Sequence, residues 1–281
     1  MIRSILVPLA DGSGRKTAWE YASWLAAKNG SRLHGLAIVD IKFFEIPILG
    51  TPDGFMPSVV AAPVEETQNL MEEMRSRASE RIEEFGKACA SAGLRCSTDI
   101  KTGIPGELIA REAIAHDIVV MACGGSARTA SPQRMDDLVS SAVHGSIRPV
   151  LVSGREFREI RQIMVAYDGS VHSSRALMVA AELASRPGIQ CSIVNIATSE
   201  ESGNETLAPA QAYLSNHGVN PKKHVIVGSK ASDLIGELAT STHADLLVMG
   251  AYGHSPIREM LFGSTTEKVL QHCDCSVVLQ T

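Results

Sequence analysis

Aromatic residues make up only 4% of the 281-residue chain, and nowhere does it run apolar for the roughly 20 residues that a membrane-spanning helix needs. A basic surplus is missing too. The formal net charge of −5 gives no electrostatic reason to expect nucleic acid or an anionic membrane as a main partner. The six cysteines (Cys89, Cys96, Cys123, Cys191, Cys273 and Cys275) include no Cys-x-x-Cys pair, so a thioredoxin-like redox motif is excluded and they read as small buried hydrophobes. His272-Cys273-Asp274-Cys275 reads as structural rather than zinc-binding, because neighbouring side chains of the strand that follows point to opposite faces. No Gly-Lys-Ser/Thr follows a glycine run, which excludes a Walker A hydrolase. Residues 1–8 read as a first strand, too short and too soon interrupted by Pro8 for a signal peptide, and the expected location is the cytoplasm.

What the chain does have is 44% apolar residues, enough for real cores of aliphatic, alanine-rich helix–sheet packing. Its organising stretch lies near the C-terminus. Leu246 to Met249 is a short unbroken apolar run, as in a parallel strand covered on both faces. Gly250 and Gly253 follow, offering positive φ and close backbone approach. Nine residues later come Gly263, Ser264, Thr265, Thr266 and Glu267. Ser264 and Glu267 have capping-box spacing, which predicts a helix whose first turn begins at Thr265. Free N–H groups at that helix start, beside a glycine turn, form an anion site.

A repeat organises the rest. Strand-like runs at 5–9 and 163–167 each lead into a turn and an alanine-rich helix, 17–28 and 173–186, stopped by Asn29-Gly30 and Pro187-Gly188. Strands at 33–39 and 191–196 follow, and later runs at 117–122 and 245–250, then 149–152 and 276–279, echo one another. Strands alternating with helices in two copies predict two parallel α/β sheets, with a first domain over 1–153, a linker over 154–161 and a second domain over 162–281. The first copy is longer by an insertion, 40–63, too proline-broken for a helix and too apolar for a free linker. It reads as a loop packed on its own domain, a lid or a subunit contact. The helix expected after it, 64–91, carries Leu70, Met71, Met74, Ala78, Ile82, Phe85 and Cys89 as a core stripe.

The spacing Gly-x2-Gly-x9-Gly-Ser, as Gly250, Gly253, Gly263 and Ser264, resembles the ATP-binding motif of the universal stress proteins. That resemblance covers nearly the whole chain and implies two tandem, five-stranded, Rossmann-like domains with nucleotide at the C-terminal strand ends. It implies a site in the second domain formed by Ala166, Tyr167 and Asp168 at the end of the first strand, Ile196 near the adenine, and Met249, Gly250, Gly253, Gly263, Ser264 and Thr265 around the phosphates. His254 and Arg258 in the intervening loop would supply positive charge, and Mg²⁺ or Mn²⁺ would accompany ATP. Because single-domain relatives pair through their last strands, 149–152 and 276–279 are expected side by side, in a pseudo-dimer within one chain. A homodimer of whole chains is a further expectation, as is a protein partner.

The first copy departs from this pattern. Aligning the first strands without a gap puts Ala10 opposite Asp168. Ala122 falls opposite Gly250 and, counted back from the last strand, Asp136-Asp137 opposite Gly263-Ser264. Two carboxylates cap a helix well but repel a polyphosphate, so the first site is expected not to take ATP. Its neighbouring small, polar segment 124–132 and the insertion mark an interaction surface. The chain is thus expected to be a nucleotide-dependent regulator rather than an enzyme. The competing readings are slow ATP hydrolysis or phosphotransfer, and a pure interaction protein whose second site stays empty.

Overall fold

The computed structural model of the protein describes residues 2–10, 14–41, 64–122, 137–253 and 264–281. The first half runs β1 (Ser4–Pro8), α1 (Arg15–Asn29), β2 (Arg32–Asp40), α2 (Val64–Ser91), β3 (Cys96–Gly103), α3 (Pro105–Ala113), β4 (Ile118–Ala122), α4 (Asp137–Gly145) and β5 (Val150–Ser153). The second half repeats this order as β6 (Gln162–Ala166), α5 (Val171–Ala184), β7 (Gln190–Ala197), α6 (Glu200–Asn216), β8 (Lys222–Val227), α7 (Ala231–Ser241), β9 (Leu246–Gly250), α8 (Ser264–His272) and β10 (Ser276–Gln280). Helix α1 stops where Gly30 supplies a left-handed residue, with φ 65° and its N–H returned to Ala26 O. Helix α5 stops earlier than its Pro187-Gly188 signal, at a right-handed Ser185 cap, and Gly188, at φ 81°, turns the chain toward β7.

Each half is a parallel sheet, as the alternation of strand and helix requires. One antiparallel pair joins the halves: β10 lies along β5 with Val277 opposite Val152 and Leu279 opposite Val150. The result is a single 10-stranded sheet in the order β3-β2-β1-β4-β5-β10-β9-β6-β7-β8, in which the second half retraces the first in reverse. Pairing the two last strands removes two edges that would otherwise offer unpaired backbone groups.

Helices cover both faces. One core is built on Tyr21 and Leu25 of α1, Phe85 of α2, Leu177 of α5 and Leu207 of α6. The other is built on Ile109 of α3, Val139 of α4, Ile235 of α7 and Val269 of α8. Both extend across the seam. The connector is a packed strap, not a loose tether. Thr17 Oγ1 donates to Arg155 O at 3.3 Å, Arg158 N–H donates to the Tyr21 hydroxyl at 3.1 Å, and the Tyr21 and Phe157 rings meet edge-on at 4.9 Å.

The structure departs from expectation at three further points. Leu70, counted into the α2 core stripe, is 42% exposed, whereas Ala78, Phe85 and Cys89 are buried. Helix α8 starts at Ser264, one residue before the capping box implied. Cys273 and Cys275 do not diverge. They lie in the turn between α8 and β10, outside the strand, with their buried sulfurs 3.1 Å from each other, and the contact with Cys273 together with burial pushes the Cys275 thiol up. No group of three or more metal-ligating side chains occurs among the described residues. The insertion beyond Ile41, the segment 124–132, Asp136, His254, Arg258 and Gly263 lie outside the described residues.

Candidate functional site

At the C-terminal ends of β6 and β9 the chain makes two adjacent turns, one carrying Asp168 and the other Gly250 to Gly253. The first is built from Asp168-Gly169-Ser170. Asp168 Oδ1 accepts the Ser170 N–H at 3.0 Å, Gly169 turns the chain at φ 82°, and Ser170 Oγ caps α5 by accepting the Ser173 N–H at 3.1 Å. Behind it, the buried Asn195 of β7 donates from Nδ2 to Tyr167 O at 2.8 Å. Three polar side chains, those of Asp168, Ser170 and Asn195, thus fix the turn, and Asp168 itself is at an exposed position.

In the second turn each residue is held by a different element. Gly250 lies so close to α5 that a methyl group there would meet His172 Cβ and Ser173 N, each at 2.8 Å. Ala251 donates its N–H to Gln280 O at 2.8 Å and its carbonyl accepts from Thr266 Oγ1 at 2.9 Å. Tyr252 bonds through its hydroxyl to His144 Nδ1 at 2.8 Å, and its ring stands edge-on to His172 at 5.4 Å. Burial raises the Tyr252 phenol. Gly253 faces the neighbouring turn, since a methyl group on it would lie 3.1 Å from Asp168 Oδ2.

These contacts change the reason for the glycines. Neither Gly250 nor Gly253 sits in the left-handed region. Gly250 admits the start of α5, and Gly253 admits the Asp168 carboxylate. Other expected residues separate by role. Tyr167 turns its side chain into the core, with its hydroxyl 3.3 Å from Ser174 Oγ, so only its main chain borders the site. Met249 is buried, whereas Ala166 and Ile196 are half-buried against the same face. Thr265, half-buried, sits in the first turn of α8, where its N–H is one of the free donors of a helix start.

Sequence reasoning missed Thr266 and Asn195. Each is a polar residue buried among apolar ones, and that is a signal only once the register is known. The first half lacks both. By strand register Ala37 of β2 takes the place of Asn195 and Val139 of α4 that of Thr266. There the carbonyl of Leu9, equivalent to that of Tyr167, is reached at 3.4 Å by Arg81 Nη1 from α2.

Residues 196–279 match the model of the universal stress protein family. The chain is 24% identical to universal stress protein Slr1230 of Synechocystis sp., over 95% of its own length and 96% of that protein. A stretch of 80 residues is 30% identical to universal stress protein MJ0531 of Methanocaldococcus jannaschii, covering 28% of this chain and 46% of that one. In three dimensions a universal stress protein from Archaeoglobus fulgidus superposes with a TM-score of 0.76 at 18% identity, covering 99% of this chain and 96% of the other, a likeness of fold.

Proposed function

We propose that this chain, a tandem universal stress protein in sequence and fold, binds ATP once, in its second half, and acts as a nucleotide-dependent regulator of a partner protein. The observation that carries the reading is the apposition of the two turns. A carboxylate (Asp168) and a glycine turn running toward a helix start stand side by side at the C-terminal strand ends, where open α/β sheets bind ligands. Asp168 would accept hydrogen bonds from a ribose or an adenine amine. The α8 start, with Ser264 and Thr265, would offer N–H and hydroxyl donors to phosphate oxygens. Ala166 and Ile196 would line the base, and Gly253 and Gly263 would let backbone approach the phosphates. His254 and Arg258 would add charge, with Mg²⁺ or Mn²⁺ as counter-ion.

On the same reading the first domain spans 1–153 and the second 162–281, the antiparallel β5–β10 seam makes the chain its own pseudo-dimer, and the first half is an interaction surface. Calorimetric titration of the full chain with ATP is the test, with phosphate release followed in parallel. One saturating site per chain is expected, and Gly263→Asp should abolish it by placing a side chain and a negative charge where backbone meets phosphate. Unchanged affinity in that variant would overturn the assignment.

A further inference from the structure

The antiparallel seam has a geometric consequence. Because β10 runs against β5, the C-terminal end of β10 lies beside the entry to β5, just past the last turn of α4. Three side chains tie that corner together. Gln280 Nε2 donates to Ile147 O at 3.5 Å, Thr281 Oγ1 donates to Ser146 O, and Tyr252 of the second-half turn meets His144 of α4 at 2.8 Å. A residue of the first half thus reaches the glycine turn of the second.

Among the described residues, His172 of α5 meets Tyr252 ring to ring, and the polar contact of the Tyr252 hydroxyl is with His144. The bond lies at an exposed position, at the end of a half-buried ring. The imidazole sits in the last turn of α4, which orients it toward the seam.

We propose that the Tyr252–His144 bridge makes the first half a positioning element for the second-half site, so that α4 sets the Gly250–Gly253 turn against Asp168. The proposal rests on the nucleotide reading above for its ligand but not for its geometry. Tyr252 is a positioning residue: it acts through Gly253, its neighbour in the chain, which faces Asp168 so closely that a methyl group on it would lie 3.1 Å from Oδ2. Coupling is reciprocal, so nucleotide at the second site also restrains α4 of the first half. An asymmetric tandem chain would in this way report the state of its one nucleotide site on the surface of its other half.

The experiment uses the full chain as wild type, Tyr252→Phe, His144→Leu, His144→Asn and the Tyr252→Phe/His144→Leu double variant. Loss of one such hydrogen bond should weaken ATP binding by about 3- to 10-fold in either single variant. The double variant should be no weaker than the singles, because both remove one interaction. His144→Asn, which keeps a polar atom near the Nδ1 position, should recover most of the loss. Single variants that bind as wild type, or losses that multiply in the double variant, would overturn the proposal. Amide hydrogen exchange at Tyr252 and Gly253 is read on the ATP-free chain. Faster exchange in His144→Leu supports the bridge and unchanged exchange refutes it, even if wild type takes up no ATP and the nucleotide reading itself fails.

Discussion

The two halves share a fold and a register but finish their C-terminal strand ends differently. In both, an aspartate before the fourth strand binds the chain entering the first. Asp117 Oδ2 accepts from Arg3 and Ser4 N–H, and Asp245 Oδ2 accepts from Arg161 and Gln162 N–H. At the opposite end the second half has Asp168, Asn195, Gly250 and Thr266 where the first has Ala10, Ala37, Ala122 and Val139. Fold-bearing polar groups are kept in both copies, whereas the polar groups around the turns are kept in one. The comparison also separates two kinds of glycine. Gly250 is a glycine because α5 lies against it, while Gly253 faces the Asp168 carboxylate. The first half's departures at the motif are Ala10, Asp136-Asp137 and the exchange of Gly250 for Ala122.

That exchange is the sharpest place to break the comparison. Gly250→Ala should cost about 1–3 kcal/mol, because the added methyl meets main chain at Ser173 N and cannot be relieved by a rotamer change. Adding His172→Gly, which removes the Cβ that the new methyl meets, should return part of that stability in denaturant unfolding. A double variant as unstable as the single would mean the two positions are independent.

Thr266→Val copies the first half again. It strips the donor from Ala251 O and should cost about 1–2 kcal/mol, with weaker ATP binding, whereas Val139→Thr should leave nucleotide binding untouched. Asn195→Ala should act similarly but more weakly, about 1 kcal/mol, by leaving Tyr167 O without its side-chain donor. Equal ATP affinity in both variants would separate the turn scaffold from the site.

The smallest effect concerns pH. At the N-terminal strand ends of the first half, His34 and His116 stack at 5.1 Å, each with a serine on Nδ1. Burial lowers both from the ordinary value of 6.5, despite Asp99, Glu112 and Asp117 nearby, and Lys101 adds to the lowering at His34. The folded chain therefore prefers neutral rings. Their contribution is complete above pH 6.5 and is lost as pH falls through the lowered folded values. The second half has Ser192 and Ala244 at these positions and lacks the pair. Thermal unfolding should show a decline in stability below pH 6.5 that His116→Asn flattens, and identical pH profiles would rule it out.

Much of this was legible in the chain. Periodic apolar runs, the stop glycines and the internal repeat gave two α/β units, and α2 spans the residues that its helical stripe implied. Ala10 stands where Asp168 does because both first strands can be counted without a gap, and the hydrogen bonds of Leu9 to Leu36 O and Tyr167 to Val194 O agree. The glycine spacing located the candidate site. It did not say why Gly250 is a glycine, because the atoms it avoids belong to a helix nearly eighty residues away in sequence.

Local pattern determines which face of an element is apolar and where a helix must stop, because those depend on residues a few positions apart. The sequence by itself therefore determined two copies of one parallel fold and the difference between their motifs. Only the tertiary structure decided what crosses between them. Thr266 to Ala251, Asn195 to Tyr167 and His144 to Tyr252 each join residues distant in the chain, and a single polar side chain carries no mark of its partner. The antiparallel β5–β10 pair put α4 beside the second turn, because reversing strand direction at the seam brings one half's helix ends to the other half's strand ends.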